Sequence, residues 1–254
     1  MKKSLISAIA IVLLLSVGCT AGNGNDAAST PTDPVTVPST EATQESQMTT
    51  TETTESPTED PLANILEKLR PWYQQNNDLV GWIRIPDTPV DEPVMQTPHY
   101  KDYYLDKDFY HQYLKAGTLY IREQCDVFAP SDNLTIYGHN MKDNSRFGIL
   151  DYYKKKSYWK EHQYIYFDTL FEEHTYQIFA VFKTSANMGE GYPYHRFENA
   201  ETEEEFNEFV NSVKELSFFD TGITPKYGDK LITLSTCEYT LDNGRLVVVA
   251  VRVK

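Results

Sequence analysis

Six short runs rich in β-branched and aromatic residues, each bounded by turn signals, constrain this chain more than any other feature. They are Val80–Pro86, Gly117–Ile121, Leu134–Tyr137, Tyr176–Phe182, Lys230–Leu234 and Leu246–Val253. Runs of this length and composition form strands. Six or more of them within roughly 190 residues imply a mostly β domain, a barrel or a sandwich. One later segment departs from the pattern. Thr202-Glu203-Glu204-Glu205 has the form of a capping box, and Phe206, Phe209, Val210, Val213 and Leu216 follow on one helical face. A helix is therefore predicted before the last two strands. A second helix should open the domain, because Asp60-Pro61 reads as an N-cap and first helical position, with Leu62, Ile65, Leu66, Leu69, Trp72 and Tyr73 at helical spacing.

Ahead of residue 61 the composition changes. Residues 20–60 contain Thr, Ser, Pro, Glu and Ala, no aromatic residue and eight acidic residues without a Lys or Arg. Such a stretch buries too little apolar area to offset chain entropy and reads as a disordered stalk. Residues 1–19 have the build of an export signal, with Lys2 and Lys3 before an uncharged run from Leu5 to Val17. Ser16-Val17-Gly18-Cys19 resembles a bacterial lipobox, although Ser16 stands where Leu is usual, so Cys19 is either a lipidation site or an incidental residue of a signal anchor. Either reading tethers the chain to the outer face of a membrane. The folded domain is then 61–254. A net charge of −14 argues against a nucleic-acid partner, which needs a basic face to displace counterions.

Three cysteines, Cys19, Cys125 and Cys237, make no disulfide framework, and no Cys/His spacing suits a structural metal. Cys237 follows an apolar strand and precedes the turn Leu241-Asp242-Asn243-Gly244. His139 leaves a strand end in Tyr137-Gly138-His139-Asn140, and Arg245 opens the final strand. Together they supply a nucleophile, a group that exchanges protons near neutral pH and a fixed cation for an oxyanion. His99, His111, His162, His174 and His195 have no motif and read as ordinary surface or packing residues; Cys125 reads as a free thiol.

The segments Thr-Leu-Ser-Thr-Cys (233–237), Tyr-Gly-His-Asn-Met (137–141), Asn-Gly-Arg-Leu-Val-Val-Val (243–249) and Val-Gly-Trp-Ile-Arg-Ile-Pro (80–86) resemble the signature segments of sortases. The resemblance spans roughly Leu62 to Lys254, and the two helices make class B the best subclass. It implies an eight-stranded β-barrel with an N-terminal helix and an extra helix between the sixth and seventh strands. It also implies a two-step transpeptidation needing no cofactor or metal. Cys237 would attack a threonine carbonyl in the C-terminal sorting signal of a surface protein, and an amine from a peptidoglycan precursor would resolve the thioacyl enzyme. His139 would act as acid and base and Arg245 would hold the carbonyl. The family likeness further marks Ser235, Glu238, Leu105 and Tyr192 as substrate-binding positions, each with an alternative packing or structural role. A hydrolytic cysteine protease and a non-catalytic surface-binding lipoprotein remain competing readings at this level.

Overall fold

Strand pairing, more than helix packing, organises the molecule. The structure is a computed structural model that describes residues 62–254; the expected leader, Cys19, the 20–60 stalk and the Asp60-Pro61 cap lie outside the described residues. Among the described residues eight strands occur: β1 (Leu79–Arg84), β2 (Asp91–Met95), β3 (Leu119–Ile121), β4 (Asn133–Tyr137), β5 (Tyr164–Thr169), β6 (Glu173–Ser185), β7 (Leu231–Glu238) and β8 (Gly244–Arg252). They close into a barrel in the order β1-β2-β3-β4-β7-β8-β6-β5, with β1 pairing back onto β5. Two ladders, β2 with β3 and β4 with β7, are parallel. The sequence runs anticipate six of these strands, and β2 and β5 complete the set.

Alternation along the strands divides the apolar residues between two cores. Ile83, Val94, Ile136, Phe167, Ile178, Ile232, Leu234, Leu246 and Val248 fill the main cluster. Phe179, Phe182, Val247, Val249 and Val251 form a second cluster, which a helix covers. That helix, Glu203–Leu216, runs between β6 and β7 as expected, and buries Phe206, Phe209, Val210 and Val213. Its cap is Thr202, whose Oγ1 accepts from the Glu205 amide at 3.3 Å, while the Glu205 carboxylate accepts from the Glu201 amide at 2.8 Å. Leu216, the last member of the predicted stripe, is left exposed.

The N-terminal helix is much shorter than its apolar spacing suggests. Within this stretch only Arg70–Tyr73 is α-helical, and Leu62 to Leu69 form two turns separated by Ile65 and Leu66. Pro71 is the physical reason, because its ring clashes with the carbonyl four residues back and ends any continuous helix through Glu67. The Leu66 amide meanwhile donates to Leu170 O at 2.7 Å, outside any helical ladder. Ile65 and Leu69 are buried all the same, against Leu79, Met95 and Tyr104.

Candidate active site

β4 and β7 run side by side with Tyr137 opposite Ser235, and the Gly138 amide extends the ladder by donating to Ser235 O at 3.2 Å. Only glycine fits at 138, since a Cβ there would lie 2.4 Å from a Leu119 methyl and 2.8 Å from the Phe147 ring. The chain then leaves the sheet and presents His139. Its Nε2 donates to the backbone carbonyl of Leu105 at 2.8 Å, which fixes the ring and leaves Nδ1 as the proton-accepting nitrogen. Asn140 turns back toward the sheet, and its Nδ2 donates to Cys237 O at 2.9 Å. A side-chain amide thus continues the β4–β7 ladder where the backbone has departed.

Leu105 belongs to a single 3-10 turn, Tyr103–Asp106. The turn approaches closely because Gly117, at φ +57°, lacks a Cβ that would meet Leu105 O at 2.4 Å.

The hairpin of β7 and β8 places Cys237 directly opposite Arg245. Directly opposed residues of an antiparallel pair share a face. Cys237 is partly exposed on it. Arg245 makes three hydrogen bonds, all from Nη1: to Gly244 O at 2.9 Å, Asn243 Oδ1 at 3.0 Å and Asn243 O at 3.2 Å. Nη2 therefore has no protein partner among the described residues and can serve a substrate oxygen.

Cys237, His139 and Arg245 line one cleft of about 470 Å³. Of the other sequence-marked residues, Leu105 and Ser235 line the same cleft, and the buried Ser235 hydroxyl lies 2.6 Å from the Tyr194 hydroxyl. Glu238 and Tyr192 are elsewhere. The Glu238 side chain is 1% exposed, turned to the opposite face of β7, where it accepts from Lys154 Nζ at 3.0 Å and Thr240 Oγ1 at 2.8 Å. Burial opposes its ionisation, but the Thr240 hydrogen bonds and the Lys154 ammonium outweigh that and lower its pKa to about 2. Tyr192 is half-buried beside Phe182 and Phe209, and its amide donates to Thr184 Oγ1 at 2.7 Å.

The structure also brings in residues without a sequence motif. His195 lines the cleft, so it is not merely a surface residue; burial, then Arg122, Arg196, Lys101 and Arg245, lower its pKa. Arg122 closes the far end, held by the Glu198 carboxylate and the His195 carbonyl. Cys125 is buried, and desolvation raises its thiol pKa to about 11, which suits an inert packing residue. Among the described residues no group of three or more His, Cys, Asp and Glu is arranged to hold a metal.

A model of the sortase domain family matches residues 83–253. Sortase B of Staphylococcus aureus is 30% identical over 194 residues, covering 74% of this chain and 77% of its own. Sortase B of Listeria monocytogenes is 31% identical over 188 residues, 73% of this chain and 74% of the relative. Among solved structures, a Staphylococcus aureus sortase B–substrate complex superposes with a TM-score of 0.69 at 28% identity, covering 76% of this chain and 87% of the other. The barrel, the cysteine–histidine–arginine cleft and these likenesses agree: the chain belongs to the sortase family of cysteine transpeptidases, as a member of class B.

Proposed function

We propose that this protein cleaves a C-terminal sorting signal at a threonine and joins the threonine carboxyl to an amine of a peptidoglycan precursor. The observation that carries the reading is the cross-strand pair Cys237 and Arg245, with His139 brought to the same cleft from the parallel neighbour strand. Cys237 Sγ, as the thiolate, attacks the threonine carbonyl carbon. Arg245 donates to the oxygen as negative charge develops, an effect worth about 10²–10³ in rate for other oxyanion donors. His139 protonates the departing amine and later takes a proton from the incoming one, as reversibility along one path requires. Ser235 and Leu105 line the groove that receives the signal, and the solved complex of the Staphylococcus aureus relative with a substrate supports a substrate as the occupant of a cleft of this kind. The reaction takes place on the outer face of the membrane, to which residues 1–19 tether the chain, by a lipid on Cys19 or by the apolar run itself.

Mass spectrometry of the full-length protein with a panel of sorting-signal peptides tests this. An acyl adduct on Cys237 that turns into an amide product when triglycine is added is the expected result. Release of acid at the same rate with and without the amine would replace the transpeptidase by a hydrolase.

A further inference from the structure

β6 ends beside the turn that carries Arg245, with Thr184 opposite Arg245 and Ser185 opposite Gly244. The next residues, 186–191, fold back over that turn. The Ala186 amide donates to Asn243 O at 3.0 Å, and the Ser185 hydroxyl donates to Asp242 O at 3.1 Å. Gly191, at φ +68°, permits the return, because a Cβ there would lie 2.4 Å from Thr184 Oγ1, which accepts from the Tyr192 amide at 2.7 Å.

Asn187, half-buried, sits in the middle of this clasp and does not line the cleft, whereas its neighbour Ala186 does. Its Nδ2 donates to Asp242 Oδ2 at 2.8 Å and to Glu190 Oε2 at 3.1 Å, which uses both of its N–H bonds. Its Oδ1 accepts from Asn243 Nδ2 at 3.2 Å. The other end of the Asn243 amide, Oδ1, accepts from Arg245 Nη1 at 3.0 Å. Two exposed carboxylates thus stand two amides away from the guanidinium, and among the described residues neither pairs with it. A guanidinium with an open Nη2 is the natural partner of a nearby carboxylate, and its planar fork favours a two-point contact. Such a pair would occupy the N–H that the substrate oxygen needs.

We propose that Asn187 is a positioning residue for Arg245: by holding Asp242 and Glu190 it keeps both carboxylates off the guanidinium and leaves Nη2 for the substrate oxygen. The inference rests on the oxyanion role proposed above for Arg245. A neutral amide suits the task, since it satisfies two carboxylates without adding a cation that would compete for the substrate. Asn187 acts through the turn 242–245, without touching the substrate itself.

Acylation of Cys237 by a sorting-signal peptide is to be timed in the full-length wild type, in Asn187→Ala, and in Asn187→Ala combined with Asp242→Asn and Glu190→Gln. Asn187→Ala should lower kcat about fivefold, since an exposed ion pair must break before the donor is free. KM should stay nearly unchanged, because Arg245 serves charge that develops only in the transition state. The triple variant should return to within about twofold of wild type, as its freed side chains carry no charge. High salt should narrow the gap between Asn187→Ala and wild type by screening the pair. No fall in Asn187→Ala, or a fall that the two neutral residues leave in place, overturns the proposal. If no peptide acylates the wild type, or if Arg245→Ala acylates as fast, the oxyanion reading fails by itself. The 15N side-chain resonances of Arg245, identified by their loss in Arg245→Ala, then decide the placement. A shift in Asn187→Ala that the triple variant reverses supports it; identical spectra, or a shift that persists, remove it.

Discussion

The two faces of β7 treat neighbouring residues in opposite ways. On the outer face Leu231 lies under the α-helical layer, Thr233 donates to Asn133 Oδ1 at 2.8 Å, Ser235 meets Tyr194, and Cys237 emerges into the cleft. On the inner face Ile232 and Leu234 pack in the main core, and the series ends at Glu238, closed in by Lys154 and Thr240. Adjacent in sequence, Cys237 and Glu238 are separated by the thickness of the sheet. The alternation keeps a permanent carboxylate off the face where a thiolate must form and assigns it instead to the turn that carries Arg245.

The sharpest break in that comparison is Cys237→Ala. Transfer should fall by about 10⁴-fold or more, as for other nucleophile deletions, with circular dichroism unchanged, because the outer face is open there. Arg245→Ala should lower kcat/KM for peptide by about 10²–10³. Arg245→Lys should recover little of it, since an ammonium cannot keep the Asn243 contacts of Nη1 and present a second planar N–H to the substrate. Glu238→Gln tests the inner face, with an expected loss of about 2 kcal/mol in urea unfolding, from a buried charge pair left with one partner. The same residue sets an acid limit. Its folded-state pKa lies below the ordinary 4.5, at about 2. Its contribution is therefore complete above pH 4.5 and disappears as pH falls toward 2; a pH series of thermal melts should show that loss in the wild type and not in Glu238→Gln. The smallest effect belongs to Asn140→Ala, which removes one hydrogen bond to Cys237 O. A loss of about 1 kcal/mol, or roughly fivefold in the rate of Cys237 alkylation by iodoacetamide, is expected, while the melting temperature moves little.

Much of this was legible from residue order alone. The turn 241–244 fixes a hairpin register that sets Cys237 against Arg245, and the Tyr-Gly-His ending announces a strand that stops where a histidine is needed. Period-two alternation also separates Ser235, on the cysteine's side, from Glu238, on the other; marking both as substrate-binding overlooks it. Leu105 as the partner of His139 had no such signal, because the partner atom is a backbone carbonyl that any residue type provides. The path of its loop depends on Gly117, twelve residues on. β2 was hidden by Pro93 and two acidic residues, yet Pro93 precedes Val94 and Met95, the part of the strand paired on both sides. β5 did carry the signal, with Ile165, Phe167 and Thr169 alternating inward. The first helix misled for the opposite reason, as its apolar residues do reach the core but Pro71 prevents them from doing so as one helix.

Parallel pairing of β4 with β7 has a consequence in time. His139 follows a strand that ends at residue 137, its sheet neighbour begins at 231, and Arg245 rides on the last strand of the barrel. A chain that emerges N-terminus first carries its histidine for almost a hundred residues before the thiol exists, and the guanidinium comes later still. Ordering contacts so distant along the chain is slow. No early fragment can be acylated by a passing peptide, so the enzyme becomes reactive only as its wall closes.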